Sequence, residues 1–335
     1  MHSFVPGSGF RRLFALGLAV VSATLLSGFS AEQAKVTIGI QQSGTVQWEL
    51  TAMKNLKLDE KHNLDLQVRQ LADNQAGQVA LQTGTVDVIL SDFVWVSLQR
   101  HQGNMVTMVP HSLAVGGLMI DPASGIESVA DLKGQTMAVA GTPVDKSWVV
   151  LQAYYNKQTG GNLANDASIK FGAPPLINQL LSGGQVKAAL NNWNWNVRTG
   201  LEGKQQLISV AQMLSALGVS EQPPLLGWVF TDADAEKNKD GIKAFLDASF
   251  ETKQALLTDD KVWEGLKDVM GVKDDQKLFI AMRDAYRQGI VKSYNPTKMD
   301  AAAQSYALLA KFGGKDVVGD ADTLADGTFY KGYSK

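Results

Sequence analysis

Apolar and polar positions follow a repeating strand–helix order along the first two thirds of the chain. Runs rich in β-branched and aliphatic residues predict strands at 36–40, 64–68 and 86–90. Apolar residues at helical spacing predict helices at 48–58 and 75–82 between them. Strands that alternate with helices form βαβ units and a mainly parallel sheet, so the chain is predicted to be an α/β protein.

The strand–helix order starts again near residue 128 and changes after residue 225. The second series predicts a short helix and turn at 128–134, strands at 135–140, 169–171 and 186–190, and helices at 148–156 and 175–181. The last part predicts one strand at 225–230 and then helices at 240–257, 261–270, 276–288 and 297–312. A helical C-terminal part therefore follows two similar α/β series.

Two stretches exactly one hundred residues apart, 81–95 and 181–195, have similar sequences. Leu, Gly, Val, Leu and Trp match at five registered positions, and Trp48 and Trp148 are separated by the same interval. A period this long favours two lobes of like construction over a solenoid. Ligands in open α/β sheets bind outside the carboxyl ends of the strands, so two facing edges would form a cleft. Chance similarity between βα units is the alternative.

Composition narrows the class of protein. The 335 residues suffice for two domains, and 31 basic against 33 acidic residues give no sign of a nucleic-acid partner. The chain has no cysteine, which excludes disulfides, thiolate metal sites, cysteine nucleophiles and a lipid-modified N-terminal cysteine.

The first thirty residues have the pattern of a secretory leader. Arg11 and Arg12 precede an apolar run from Leu13 to Leu26, which is too short to span a bilayer comfortably. Small residues predict cleavage after Ser30 or Ala31, and the arginine pair leaves the general and the twin-arginine export routes both open. We expect a mature periplasmic protein that is not a lipoprotein.

No sequence pattern for catalysis or for metal and cofactor binding is present. None of the four histidines stands at metal-ligand spacing with another ligand, although His111 could line the cleft. The chain has no nucleophile-elbow, Walker or dinucleotide-binding motif. The sequence therefore predicts no catalytic residues, no metal and no cofactor.

Polar residues follow the predicted strands of the first lobe. Gln42, Ser43 and Thr45 come after the first strand, where backbone N–H groups and hydroxyls could bind a polar ligand group. Ser91, Asp92 and Phe93 end the third strand, and Asp92 suits an ammonium or another donor. Helix capping is the alternative role for Ser43, Thr45 and Asp92.

The second lobe offers an equivalent set. Its first loop holds Gly141, Thr142 and Lys146, and Lys146 could instead be a solvated loop residue. Asn191, Asn192 and Trp193 follow the last strand, where amides and an indole face can recognise an organic solute. The equivalent residues Trp95 and Trp195 could be core or ligand contacts.

Four phrases carry a resemblance to a known family. They are VTIGIQ at 36–41, LQTGTVD at 81–87, SVADLKGQTMAV at 128–139 and LLSGGQVKAA at 180–189. With the leader, they resemble the periplasmic substrate-binding proteins of ABC importers, in the branch of nitrate, sulfonate, taurine and thiamine-pyrimidine binders. The resemblance covers about residues 36–230 and departs at Lys187, where these proteins usually have Asp.

The resemblance implies a type II-like, two-lobed α/β fold with two crossovers, near Gly116-Gly117 and Gly227. Lobe 1 would comprise residues 31–117 and 228–335, and lobe 2 would comprise residues 118–227. It also implies hinge closure on a small solute, an ABC permease and ATPase as partners, and no catalysis. We expect a monomer. An accessory binding protein for a periplasmic enzyme or sensor, and an enzyme on the same scaffold, are the alternatives.

The solute itself is left open by the sequence. Hydroxyl and amide loops fit a sulfonate, whereas Asp92 and the aromatic residues fit an amine or a heteroaromatic compound better. The balance favours an organic solute with a flat or cationic part.

Overall fold

Two five-stranded sheets organise the chain in the computed structural model, which describes residues 33–41 and 44–335. The predicted leader, Gln42 and Ser43 lie outside the described residues. The strands are β1 (Ala34–Gln41), β2 (Leu64–Leu71), β3 (Val88–Asp92), β4 (Val106–Ser112), β5 (Gly117–Ile120), β6 (Thr136–Ala140), β7 (Ser168–Gly172), β8 (Ala188–Asn191), β9 (Gln205–Ser209) and β10 (Leu226–Thr231).

The two sheets have the same topology. The first has the order β2-β1-β3-β10-β4, and the second has the order β7-β6-β8-β5-β9. In the first sheet only β10 is antiparallel to its neighbours, and in the second only β5 is. The mainly parallel arrangement is therefore correct. β5 and β9 were not predicted, because β5 has only four residues and β9 is mostly polar.

Helices cover the sheets and fill the C-terminal part. They are α1 (Val46–Asn55), α2 (Leu58–Lys61), α3 (Asn74–Gln82), α4 (Phe93–His101), α5 (Lys146–Thr159), α6 (Leu163–Asp166), α7 (Pro174–Ser182), α8 (Trp193–Leu201), α9 (Val210–Ala216), α10 (Asp232–Lys237), α11 (Lys239–Thr258), α12 (Asp260–Glu264), α13 (Lys267–Met270), α14 (Gln276–Gln288), α15 (Asp300–Gly313) and α16 (Lys315–Val318). Short 3₁₀ helices occupy Pro122–Ser124 and Val129–Leu132.

Two predicted helices are interrupted. The helix predicted at 48–58 ends at Asn55, and Lys57 then has a left-handed conformation with φ of 53°. The helix predicted at 261–270 divides into α12 and α13 around Gly265. A residue in the left-handed region cannot continue a right-handed helix, which explains the first interruption.

The hundred-residue repeat corresponds to equivalent elements. Helices α3 and α7 begin and end one hundred residues apart, and so do α4 and α8. Gly84 and Gly184, which follow α3 and α7, both have positive φ, at 66° and 67°. Glycine adopts this conformation without strain, and it is common just after a helix.

The chain changes sheet at the two places where crossovers were predicted. It passes from β4 to β5 through residues 113–116 and returns from α9 to β10. At Gly116 a Cβ atom would lie 1.7 Å from the backbone oxygen of Asn191, so the first crossover packs directly on β8. The C-terminal helices contact elements of both series: α11 packs against α1 and β1, α14 packs against α8, and α15 packs against α5.

Buried aliphatic and aromatic side chains fill the space between sheets and helices. Val36 and Ile38 in β1 and Trp228 in β10 are fully buried in one large cluster. A second cluster joins α1, α12 and α14 through Trp48, Trp263 and Tyr286. Within residues 33–41 and 44–335, no helix has the length and apolar character that crossing a membrane requires.

Candidate functional site

The predicted site residues of the first sheet lie at or next to helix N-termini. Thr45 precedes α1, and its side chain makes no capping hydrogen bond. Asp92 precedes α4, and its carboxylate accepts a hydrogen bond from the Trp95 N–H at 2.9 Å. Ser91 is buried beside it in β3. Phe93 is fully buried and packs against Phe329, with ring centroids 6.3 Å apart.

The first loop of the second sheet has the matching position before α5. Gly141 has φ of 101°, a conformation that suits glycine, and a Cβ there would lie 3.2 Å from the Asp145 carboxylate. Asp145 caps α5 and accepts hydrogen bonds from the N–H groups of Ser147 and Trp148 at 2.9 and 3.3 Å. Thr142 is exposed in this loop.

The three predicted residues after β8 have different environments. Asn191 is buried, and its amide donates to the Pro174 carbonyl at 3.0 Å. Asn192 is exposed and precedes α8 without capping it through its side chain. Trp193 is half-buried in the first turn of α8. Contact with a solute stays a prediction for all three.

An ion pair joins the N-terminus of α4, beside the first sheet, to the N-terminus of α5, beside the second. The Lys146 ammonium at the start of α5 lies 3.0 Å from the Asp92 carboxylate at the end of β3. Asp92 raises the pKa of Lys146, and burial acts in the opposite direction. Burial raises the pKa of Asp145, and the nearby Asp92 carboxylate adds to that increase. When all three groups are ionised, together they carry a net charge of −1.

Aromatic side chains form a second connection, between α8 beside the second sheet and the helices α1 and α14. The Trp193 ring of α8 meets Trp48 of α1 edge-on at 6.0 Å and Tyr286 of α14 at 6.2 Å. Trp48 and Tyr286 also contact each other at 5.8 Å. Trp193 therefore rests on an aromatic cluster whose other members belong to α1, α12 and α14.

A cavity of about 530 Å³ lies beside Trp193, between α8, α14 and the first crossover. Polar side chains in its wall include Asn196, Lys204, Gln222 and Gln288. The Asn196 amide nitrogen donates to the Gly117 carbonyl at 3.0 Å, and the Lys204 ammonium pairs with Asp121 at 2.8 Å. These two wall residues are thus bound to β5 and to the segment just after it.

Sequence reasoning missed a buried charge network behind Trp48. Glu49 is fully buried, and its carboxylate accepts hydrogen bonds from Lys253 at 2.9 Å, Ser249 at 2.6 Å and Tyr286 at 3.3 Å. The His111 ring nitrogen lies 3.5 Å from the same carboxylate. Glu49 follows Val46 by three residues on the apolar face of α1, and this spacing was the available signal.

Burial shifts the pKa values of His111 and Tyr286 in this network. Burial, reinforced by the Lys253 ammonium, holds the pKa of His111 well below its ordinary value, so the imidazole is neutral. Burial and the Glu49 carboxylate raise the pKa of Tyr286 well above its ordinary value. Among the described residues, no group of three or more His, Asp or Glu side chains could hold a metal ion.

Solved structures share this fold at low sequence identity. The alkanesulfonate-binding protein SsuA from Xanthomonas axonopodis pv. citri, bound to MOPS, has a TM-score of 0.68 and 16% identity, covering 90% of this chain and 99% of that one. For the periplasmic aliphatic sulphonate-binding protein SsuA from Escherichia coli the values are 0.67, 19%, 86% and 90%. For the nitrate-binding protein NrtA from Synechocystis PCC 6803 they are 0.55, 14%, 79% and 71%.

The two-lobed fold predicted from the sequence is therefore confirmed. No curated protein sequence is significantly similar to the chain. The model of the NMT1/THI5 like family matches residues 60–261. Because this match spans more than half of the chain, the protein belongs to the NMT1/THI5 like family.

Proposed function

We propose that the protein captures a small organic solute between the two sheets and delivers it to an ABC import permease. The fold is that of proteins whose names describe sulfonate and nitrate binding, which supports a binding role. The predicted leader supports export to the periplasm, with cleavage after Ser30 or Ala31. The mature protein would act as a monomer.

The Asp92–Lys146 ion pair carries this proposal. It joins the end of β3 in the first sheet to the start of α5, which follows the first strand of the second series. Ligands of open α/β sheets bind at such strand ends. Charged groups that meet from both halves at this edge are therefore well placed to contact one solute from two sides.

Hinge closure gives the proposed mechanism. Residues 31–117 and 228–335 would form lobe 1, and residues 118–227 would form lobe 2. A solute that binds the closed arrangement more tightly than the open one shifts the population toward closure. The permease would then recognise the closed form, and no covalent chemistry is needed.

The proposed contacts come from both lobes. Lobe 1 would supply Gln42, Ser43, Thr45, Ser91, Asp92 and Phe93, and lobe 2 would supply Gly141, Thr142, Lys146, Asn191, Asn192 and Trp193. Phe93 would support the site by packing rather than touch the solute, because its ring is fully buried against Phe329. The net charge of −1 at the ion-pair edge favours a solute with a cationic part over a bare anion.

Thermal shift of the leader-free protein tests the proposal. A screen would compare amines, sulfonates, pyrimidines and carboxylates, and a ligand at 100 times its Kd should add about 2.7 kcal/mol to the free energy of unfolding. Small-angle scattering should report a smaller radius of gyration with the same ligand, and chromatography should recover the ligand unchanged. If no compound shifts the melting temperature, the binding role is contradicted. If the ligand is converted to product, the alternative of an enzyme is favoured.

A further inference from the structure

Asp92 and Lys146 neutralise each other at the edge where we place the solute. The Lys146 side chain is 32% exposed and the Asp92 side chain 21% exposed, so neither group is freely solvated. The other Asp92 carboxylate oxygen accepts the Trp95 N–H, and Asp145 lies close enough for Asp92 to influence its titration. A charged solute that binds to Asp92 or Lys146 must therefore compete with an ion pair that already exists.

We propose that the solute is a zwitterion that separates this ion pair, with its cationic group on the Asp92 carboxylate and its anionic group on the Lys146 ammonium. The inference rests on the proposed binding function and names the charge class of the solute. Such a solute exchanges one internal ion pair for two new ones. The total charge of the edge stays at −1.

A solute with a single charge cannot make this exchange. A cation on Asp92 would leave the Lys146 ammonium without its partner in a partly buried position. An anion on Lys146 would leave the Asp92 carboxylate unpaired beside Asp145, which carries the same charge. Each singly charged solute thus leaves one member of this partly buried pair uncompensated, whereas a zwitterion compensates both.

Trp193, another of the proposed contact residues, adds an aromatic surface to the description of the solute, because it is half-buried at the start of α8. Trp193 and Trp48 join the two halves through the helices that begin at the ends of β8 and β1. A flat group of the solute could pack against the indole of Trp193, whereas Trp48 is buried. We therefore design the test with an aliphatic and an aromatic set of compounds.

The experiment uses sets of three compounds that differ only in charge. One set is 3-aminopropanoate, 1-aminopropane and propanoate, and the other is 4-(aminomethyl)benzoate, benzylamine and benzoate. Isothermal titration with the leader-free protein would measure each Kd. In at least one set, we expect the zwitterion to bind at least about ten-fold more tightly than either singly charged compound.

Variants assign the preference to the two residues. Lys146→Met should shift the preference toward the amine, and Asp92→Asn should shift it toward the acid. Asparagine also caps helices well, so Asp92→Asn keeps the start of α4. Lys133→Met, which removes an exposed partner of Asp166, is the matched control and should leave all six Kd values unchanged.

The outcomes separate this proposal from the broader one. An amine or an acid that binds as tightly as the zwitterion in both sets overturns the proposal, and so does a zwitterion preference that survives in Lys146→Met. If neither zwitterion binds while compounds of another charge class do, the zwitterion class is wrong and the binding function stands. If none of the six compounds binds and the thermal-shift screen also finds no ligand, the binding function itself fails.

Discussion

Replacing Lys253 with methionine should lower the free energy of unfolding by about 3–5 kcal/mol. The ammonium lies 2.9 Å from the Glu49 carboxylate and 2.7 Å from the Ser249 hydroxyl, inside the protein. Methionine has a similar length and leaves no large void. The cost therefore comes from the Glu49 carboxylate, which stays fully buried with only Ser249 and Tyr286 as hydrogen-bond donors.

A double variant separates charge from packing. Glu49→Met combined with Lys253→Met removes both charges, so no uncompensated charge stays buried. Replacing a buried ion pair with apolar residues is often close to neutral. The double variant should thus be more stable than Lys253→Met alone, with a coupling energy of about 2 kcal/mol or more.

Urea unfolding measures these changes. With an m value of about 3 kcal/mol/M, the unfolding midpoint of Lys253→Met should fall by about 1–1.7 M. Lys315→Met is the surface control, because Lys315 and its partner Asp320 are both largely exposed, and it should leave the unfolding midpoint unchanged. A Lys253→Met midpoint as high as that of the control would refute the reasoning, as would a double variant whose loss equals the sum of the single losses.

Three further predictions concern pH, the aromatic contact and the first crossover. Folding keeps the pKa of His111 well below its unfolded value of about 6.5, so the unfolded chain binds more protons than the folded one in acid. The free energy of unfolding should therefore fall by about 1.4 kcal/mol per pH unit below pH 6.5. His111→Gln should flatten this slope in urea titrations at pH 7, 6 and 5. Trp193→Ala removes edge-on ring contacts worth about 1–2 kcal/mol, so the melting temperature of the empty protein should fall by about 3–6 °C. Solute affinity should fall about ten-fold or more. A melting temperature more than about 10 °C lower would mark Trp193 as a core residue. Gly116→Ala should lower the free energy of unfolding by about 3 kcal/mol, because its Cβ would clash with the Asn191 carbonyl. Gly200→Ala, on a helix with open space around it, should raise the free energy of unfolding by up to about 1 kcal/mol. Equal melting temperatures for the two variants would contradict the packing at Gly116.

The order of elements could be predicted because it depends on local patterns. The apolar run at β1 and the glycine after α3 specify a strand and a helix end without knowledge of the rest of the fold. The hundred-residue repeat also indicated equivalent halves, since α4 and α8 proved to begin at Phe93 and Trp193. Short or polar strands such as β5 and β9 escaped this reasoning, because their neighbours in the sheet stabilise them.

For the candidate site too, the sequence indicated the residues but not the contact between them. Asp92 and Lys146 could each be selected from the sequence, because both follow the end of a predicted strand. Their 3.0 Å contact could not be predicted, since it joins residues 54 positions apart and depends on how the two halves meet. Solute contact for all twelve selected residues stays a prediction.

The sequence by itself determined the α/β class, the two like halves and the strand-end positions where polar residues gather. Only the tertiary structure decided which charges pair: Lys146 with Asp92 between the halves, and Lys253 with Glu49 in the interior. The physical reason is range. Strand and helix patterns arise from neighbours a few residues apart, whereas ion pairs form between groups that folding brings together from distant parts of the chain.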